Sequence, residues 1–308
     1  MPYSALKARL DAGDIVILDG GIGSELEKTG VSMDHQLWCG MAMETNPDLV
    51  TKVHESYLNA GAEVITANTY STGRHALKLA GLGDRTDAWN RAAVRLARGA
   101  IDASGRDAVL AGSVSNFASW DGLNADQMRA SFAEQGRILV DEGVDLIILE
   151  TLASPPDVVR AITEETQDLE VPVWLAMSVK ADDDTGAIMH GQEEHKDYSK
   201  NPVGYQPFED MIAAVSDCGV EAMLMMHSQR QVTKAAVEIL AANFDGPIGA
   251  YPNAGYWKRP EWVFVDDLTP EVYAAEAQSW IAAGARIVGG CCGVGPEHIA
   301  AVRSVVHP

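Results

Sequence analysis

Two adjacent cysteines flanked by glycine lie near the end of the chain, in the run Gly289-Gly290-Cys291-Cys292-Gly293. They follow an apolar segment, 285–288, and precede a helix-like tail, so the thiols are predicted where a strand ends. Flanking glycines allow a metal to approach closely, and neighbouring cysteines on an extended backbone point apart and are poorly placed to bridge each other. The alternative is two small buried hydrophobic side chains. Packing does not require this glycine pattern, so we predict metal or thiolate chemistry.

Composition narrows the classes of protein and of partner. With 308 residues, 47% of them hydrophobic, the chain suits one domain, 1–308, with a large core. A net charge of −21 argues against nucleic-acid and membrane partners, and an apolar-rich chain of this kind is compatible with a homo-oligomer. Four cysteines do not make a disulfide framework, and neither a signal core in Met1–Asp14 nor a spanning apolar run is found. We expect a cytoplasmic protein.

Short apolar segments alternate with longer amphipathic ones, which predicts strands and helices in turn. The eight predicted strands are Ile15–Asp19, Val64–Ala67, Val109–Ser113, Leu146–Glu150, Val173–Ser178, Ala222–His227, Ile248–Tyr251 and Arg286–Gly290. The predicted helices are Asn46–Ala60, Asp87–Ala103, Asn124–Glu142, Pro155–Thr166, Phe208–Cys218, Gln229–Asn243, Pro270–Ala283 and Pro296–Val305. Gly61, Gly143, Gly219 and Gly284 are expected to end helices in the left-handed conformation.

Eight strand–helix units predict an α/β fold of the (β/α)8 TIM-barrel type. An open doubly wound sheet is the alternative, but Gly20-Gly21-Ile22-Gly23 lacks the spacing of a dinucleotide fingerprint. Chemistry in a barrel lies at the carboxyl ends of the strands. Polar residues collect at these ends: Asp19, Asn68-Thr69-Tyr70, Ser113-Val114-Ser115-Asn116, Glu150-Thr151, Met177-Ser178, His227-Ser228, Tyr251-Pro252-Asn253 and Cys291-Cys292.

Asp19 and Glu150 carry the strongest signal among the isolated strand-end residues. Each directly follows an apolar strand, where an unpaired carboxylate is costly. We therefore expect each to meet a cation, an amine or backbone donors. For the lone Ser, Thr and Asn residues, an ordinary turn or cap is the competing interpretation.

The motifs together resemble those of the homocysteine S-methyltransferase family. The matching segments are Asp19–Leu26 with Trp38, His54–Tyr57, Ala60–Ala62, Thr66–Tyr70, Gly112–Val114, Leu149–Thr151, Ala283–Gly293 and Pro296–Ile299. They extend over nearly the whole chain, and the closing segment with the two cysteines is the most specific.

The resemblance implies a catalytic Zn²⁺ site with Cys291 and Cys292 as two ligands. It implies that Glu150 holds the amino group of homocysteine, and that Asp19 with the backbone of Gly20 and Gly21 holds the amino-acid end of that substrate. Trp38 and Tyr70 fall where the family forms its methyl-donor pocket, and aromatic faces suit a cationic donor. Asn68 and Ser113, at strand ends in matching segments, complete the expected substrate-binding set.

One position departs from the family pattern. The third zinc cysteine of the family ends the sixth strand, and here that position holds His227; Cys218 precedes the same strand and should lie at the opposite end of the barrel. In one interpretation His227 completes a Cys2His zinc site, with less negative charge and a less nucleophilic bound thiolate than an all-cysteine site. In the other, the zinc site has been lost and the barrel serves another reaction.

The segment 180–207 also departs from the family, because it is longer than the usual connection after the fifth strand. It contains Asp182-Asp183-Asp184, His190, Glu193-Glu194-His195 and Asp197. No histidine spacing there matches a zinc motif. We predict a solvated acidic loop without regular structure, with a substrate cover as the alternative.

The sequence thus predicts a zinc-dependent S-methyltransferase that moves a methyl group from a small sulfonium or betaine-type donor to homocysteine or a related thiol. A metal-dependent hydrolase or lyase using Asp19, Glu150 and His227 is the first alternative. A ligand-binding protein without turnover is the second.

Overall fold

The computed structural model describes residues 1–33, 37–118, 125–191, 206–258, 261–264 and 268–307. Thirteen strands are formed by these residues: β1 Val16–Ile17, β2 Val64–Ala67, β3 Val109–Ser115, β4 Leu146–Glu150, β5 Val173–Met177, β6 Val179–Ala181, β7 Ile188–His190, β8 Gln206–Pro207, β9 Ala222–Gln229, β10 Ile248–Asn253, β11 Gly255–Lys258, β12 Glu261–Phe264 and β13 Ile287–Val288.

Eight parallel strands form one sheet in the order β1-β13-β10-β9-β5-β4-β3-β2. A parallel bridge between Leu18 and Val64 joins its two ends, and the Asp19 N–H donates to the Val64 carbonyl at 3.1 Å. The sheet is therefore closed, and the predicted TIM barrel is confirmed. All eight predicted strands are present, within a few residues of their expected bounds.

The helices of the described residues pack around this barrel. They are α1 Tyr3–Asp11, α2 Ile22–Lys28, α3 Ala42–Thr45, α4 Pro47–Ala60, α5 Arg74–Leu79, α6 Thr86–Ser104, α7 Ala125–Asp141, α8 Pro156–Gln167, α9 Phe208–Val215, α10 Arg230–Asn243, α11 Pro270–Ala282 and α12 Pro296–Val306, with a 3₁₀ turn at Gly83–Arg85. The four expected helix-ending glycines all adopt positive φ, from 80° at Gly219 to 122° at Gly284. Within the described parts of the chain, no helix has the length and apolar character needed to cross a membrane.

The first helix, α1, closes the amino-terminal end of the barrel. Its Leu6 and Leu10 are buried in the interior cluster together with strand residues such as Trp174, and the Trp174 indole N–H donates to the Tyr3 hydroxyl at 2.9 Å. Burying each leucine contributes roughly 1.5–3 kcal/mol. With this end filled by side chains, the opposite end, where the strands terminate, is left for a site.

The segment after β5 corrects the prediction of a loop without regular structure. Strands β6 and β7 form an antiparallel hairpin, and β8 pairs with β7. Asp183 and Asp184 at the hairpin tip are exposed as expected, but His190 is buried at 2% exposure. Each of the two strands is only three residues long, which is too short for a periodic apolar signal that would predict the hairpin. Glu193-Glu194-His195 and Asp197 lie outside the described residues.

Candidate active site and metal centre

Three side chains converge at the carboxyl end of the barrel. The His227 Nδ1 atom lies 3.5 Å from Cys291 Sγ and 3.8 Å from Cys292 Sγ, and the two sulfurs are 3.8 Å apart. In a tetrahedral site with Zn–S of about 2.3 Å and Zn–N of about 2.0 Å, neighbouring donors are about 3.5 to 3.8 Å apart. The spacing and the donor types therefore fit Zn²⁺ with a fourth position left open. Within the described parts of the chain, this is the one cluster of three or more His, Cys, Asp or Glu side chains that could hold a metal ion.

The short distance between the two sulfurs corrects one expectation. Strand β13 ends at Val288, before Gly290, so the cysteines lie on a turn rather than on extended backbone and their side chains point the same way. Contacts on several sides fix this turn. The Cys291 N–H donates to the Pro252 carbonyl at 2.9 Å, and the Cys292 carbonyl accepts from the Ala254 N–H at 2.8 Å. Gly293 has a φ of +83°, and a Cβ there would lie 2.3 Å from the Ala254 carbonyl oxygen, so only glycine fits.

Electrostatics at the turn favour a thiolate. The pKa of Cys291 falls to about 5, chiefly through its hydrogen-bond contact with Cys292 and also through contact with His227, against the opposing effect of burial. His227 reaches the sulfurs from a left-handed backbone, with φ at +46°. Such a conformation costs about 1–3 kcal/mol in a non-glycine residue and is found mainly at functional sites.

Glu150 ends β4 beside this cluster and is held by two hydroxyl donors. The Tyr251 phenol donates to Oε1 at 2.9 Å, and the Ser113 hydroxyl makes a short bond to Oε2. Burial raises the pKa of Glu150 to about 7; the bond from Ser113 opposes this shift, the charge of Cys291 adds to it, and Tyr251 and His227 oppose it. A carboxyl group in this state is ready to ionise when an ammonium group pairs with it.

Asp19 is buried at the end of β1 and accepts two hydrogen bonds from Thr66. The Thr66 N–H donates at 2.7 Å and its hydroxyl at 2.9 Å. Burial raises the pKa of Asp19 to about 8; the Thr66 bonds oppose this shift and the charge of Glu150 adds to it. The charge of Glu150 thus acts on Asp19, as expected if both carboxyl groups face the same pocket.

The glycine loop after β1 packs directly against the cysteine turn. A Cβ on Gly20 would lie 2.3 Å from the Val294 carbonyl oxygen, and one on Gly21 would lie 2.6 Å from the Cys291 carbonyl oxygen. The Gly21 N–H already donates to Val294, at 3.1 Å. The loop therefore sets the position of the cysteine turn, whatever its role toward substrate.

Trp38, predicted to line the donor pocket, and Asn68, predicted to bind substrate, lie on separate segments. Trp38 has a φ of +50° and its indole covers Gly23, where a Cβ would lie 2.0 Å from Nε1. The Asn68 side chain is occupied by protein partners: its Oδ1 accepts from the Cys39 thiol at 3.0 Å, and its Nδ2 donates toward the Met43 sulfur at 3.1 Å. Asn68 thereby supports the segment that follows Trp38, and its expected contact with substrate stays a prediction.

Tyr70 contacts a further residue whose backbone is in the left-handed conformation. Its hydroxyl lies 3.1 Å from the hydroxyl of Thr151, which has a φ of +53° and is fully buried. The Thr151 hydroxyl also donates to Asn116 Oδ1 at 3.1 Å. Sequence reasoning placed Thr151 and Tyr251 at strand ends but gave neither a role, because nothing in the sequence shows which strand ends face each other across the barrel.

A family model described as Homocysteine S-methyltransferase matches residues 16–306. The chain belongs to the homocysteine S-methyltransferase family. It is 25% identical to Homocysteine S-methyltransferase 4 of Zea mays, over 96% of this chain and 90% of that protein. It is 26% identical to Homocysteine S-methyltransferase YbgG of Bacillus subtilis (strain 168), over 94% of each chain. The crystal structure of the metallated form of the homocysteine methyltransferase MmuM from Escherichia coli superposes with a TM-score of 0.77 and 26% identity, covering 97% of this chain and 99% of MmuM.

Membership of this family confirms the resemblance read from the motifs, and with it a methyltransferase. It favours methyl transfer over the hydrolase or lyase alternative. A metallated form is described for MmuM, and the His227, Cys291 and Cys292 cluster gives this chain a set of donors suited to a metal.

Proposed function

We propose that this methyltransferase binds Zn²⁺ through His227, Cys291 and Cys292 and methylates the thiol of homocysteine from a small sulfonium or betaine-type donor. The observation that carries the proposal is the spacing of the three donor atoms, 3.5 to 3.8 Å, at the carboxyl end of the barrel. A Cys2His set with an open fourth position is one that catalytic zinc sites use. When bound, Zn²⁺ would lower the pKa of a thiol that occupies the open position.

The reaction forms one bond and breaks one. Before this transfer, the homocysteine thiol gives up its proton to solvent water, and an electron pair on the resulting thiolate sulfur forms the new S–CH3 bond. The bond from the methyl carbon to the sulfonium sulfur, or to the quaternary nitrogen, breaks, and its electron pair stays with the donor. The donor leaves as a neutral thioether or tertiary amine, so no oxidant or reductant is required.

The residues of the chain have distinct parts in this proposal. Glu150, once ionised, pairs with the homocysteine ammonium group while Ser113 and Tyr251 hold the carboxylate in place. Asp19, with Gly20 and Gly21, faces the amino-acid end of the substrate. Trp38 and Tyr70 offer aromatic faces to a cationic donor, an attraction of about 0.5–2 kcal/mol. The donor loses its positive charge on transfer. Such faces therefore attract the donor more strongly than its product.

Metal content and methylation, measured together, test the proposal. Wild type purified without added metal should contain about one zinc per chain and methylate homocysteine with at least one donor from a panel of sulfonium and betaine compounds. His227→Ala should lose both properties. His307→Ala, at a partly exposed histidine near the C-terminus, is the matched control and should keep them. Wild type without zinc, or zinc retained in His227→Ala, would contradict the proposal.

A further inference from the structure

The hairpin β6–β7 makes buried contacts with two separate segments at the rim of the site, the end of β9 and the turn after β4. The Val179 N–H, at the start of β6, donates to Ser228 Oγ at 2.8 Å. His190 Nε2, at the end of β7, lies 2.7 Å from the Leu152 carbonyl oxygen and must donate to it, since a carbonyl only accepts. Burial lowers the pKa of His190 to about 4, so the ring is neutral at pH 7.

Both contacts start from one cross-strand pair. Val179 and His190 are direct partners in the antiparallel register of β6 and β7. Ser228 lies in the last residues of β9, and Leu152 lies in the turn after β4. These two strands are not neighbours in the sheet, because β5 lies between them. The hairpin extends from β5 and therefore connects the end of β9 to the turn after β4 across the strand that separates them.

Each of these two segments contains a strained residue of the site. Ser228 directly follows His227, with a φ of +46°, and its hydroxyl also donates to the Met226 carbonyl at 2.7 Å. Leu152 directly follows Thr151, with a φ of +53°, whose hydroxyl is 3.1 Å from that of Tyr70. Backbone in this region persists only where surrounding structure holds it, and the hairpin supplies one buried hydrogen bond next to each strained residue.

We propose that the pair Val179 and His190 is a brace that fixes the end of β9, which carries His227, relative to the turn after β4, which carries Thr151. His190 and Ser228 are then positioning residues: neither belongs to the three-donor cluster, but together they set where His227 and Tyr70 stand. The brace itself follows from the hydrogen bonds and the strand register. Its effect on zinc and donor binding rests on the proposed function.

Coupling between the end of β9 and the turn after β4 is the property that distinguishes a brace from two unrelated contacts. Loss of the His190 bond should loosen the end of β9 around His227 as well as the turn after β4 that His190 contacts directly. Hydrogen exchange of backbone amides measures this in metal-free protein, in peptides covering 150–153 and 226–229. In His190→Ala, exchange should rise roughly three- to tenfold in both segments, the effect of one lost buried hydrogen bond. Ser228→Ala should likewise raise exchange in both.

Two further variants distinguish loss of the brace from a general loss of stability. His190→Gln keeps an N–H donor at a similar reach and should restore most of the wild-type exchange. Thr185→Ala removes the side-chain bond to Asp182 at the exposed hairpin tip and should change exchange at the tip alone. If His190→Ala raises exchange only in 150–153, or if Thr185→Ala has the same effect as His190→Ala, there is no brace.

Zinc binding gives the functional readout. In competition with a chelator, His190→Ala and Ser228→Ala should each bind zinc roughly three- to tenfold more weakly than wild type, and Thr185→Ala should bind equally. Equal affinity in all four proteins would mean that the brace has no part in the metal site. Should wild type bind no zinc at all, the proposed function fails, while the exchange experiment still decides whether the hairpin couples the end of β9 to the turn after β4.

Discussion

The phenol of Tyr251, in β10, donates a 2.9 Å hydrogen bond to Glu150, at the end of β4. Burial and the charge of Glu150 hold the pKa of Tyr251 well above its usual value, so the phenol stays protonated and acts as a donor. Together with the stronger effect of the Ser113 bond, this bond favours the ionised form of a carboxyl group whose pKa is raised by burial. The charge of Glu150 near pH 7 therefore depends in part on Tyr251.

Tyr251→Phe should raise the pKa of Glu150 above about 7, because it removes a donor to the carboxylate. If Glu150 pairs with the substrate ammonium as proposed, it must be ionised to do so, and the acidic limb of kcat/KM for homocysteine should move to higher pH by about one pH unit. A pH profile between 5 and 9 measures it. Tyr3→Phe, which alters a buried hydrogen bond at the other end of the barrel, is the control. If the acidic limb of the profile does not shift in Tyr251→Phe, the phenol does not control the pKa of Glu150.

His227→Cys should keep zinc and accelerate methyl transfer. A thiolate in place of a neutral imidazole adds a negative charge to the site, and cysteine binds zinc at a slightly longer distance, which offsets its shorter side chain. The thiolate of the bound substrate should become more basic and more nucleophilic, giving roughly three- to tenfold faster single-turnover methyl transfer with each accepted donor. Zinc content and the rate are measured on the same preparation. If neither changes, the charge of the ligand set does not control reactivity.

The fold could be predicted largely from sequence because each barrel strand is an apolar run bounded by a helix signal. Helix α1 was not predicted, since only Leu6 and Leu10 of its nine residues are buried and the apolar periodicity is weak. The hairpin β6–β7 was not predicted either. It is anchored by a histidine ring and a backbone N–H, and neither is visible as a hydrophobic pattern.

Within the site, the candidate residues were easier to predict from the sequence than the contacts between them. His227 and the cysteine pair were recognisable as candidate ligands, but their common direction depends on a turn that begins after Val288. The bond from Tyr251 to Glu150 joins residues 101 positions apart. Such a contact follows from barrel closure and strand register, which the sequence alone does not specify.

Gly23→Ala should displace Trp38. A Cβ at Gly23 would lie 2.0 Å from the indole Nε1 and 2.9 Å from Cε2, and a rigid ring cannot accommodate it without moving. If Trp38 lines the donor pocket, KM for the donor should rise by about tenfold or more. Gly99→Ala is the matched control: Gly99 lies in α6 with nothing within 4 Å of the added Cβ. It should raise the free energy of unfolding by about 0.5–1 kcal/mol and leave both KM values unchanged. An unchanged donor KM in Gly23→Ala would place the donor elsewhere.

Asp19→Asn should change how stability depends on pH. The carboxyl group of Asp19 ionises near 3.8 in the unfolded chain and near 8 in the folded one. The folded protein therefore binds more protons between these values, and this group makes stability fall as pH rises, by at most about 1.4 kcal/mol per pH unit. Asparagine carries no charge. Its Oδ1 can accept the Thr66 N–H, and the Thr66 hydroxyl can turn to accept from its amide.

Urea unfolding of wild type and Asp19→Asn at pH 5, 6, 7 and 8 measures the effect. The free energy of unfolding of wild type, minus that of the variant, should decrease steadily across this range. Asp102→Asn changes an exposed position on α6. Its free energy of unfolding should change with pH in the same way as that of wild type. If the same holds for Asp19→Asn, the Asp19 carboxylate is already ionised at pH 5. The Thr66 bonds would then outweigh burial, and Asp19 would enter the site as an anion facing the amino-acid end of the substrate.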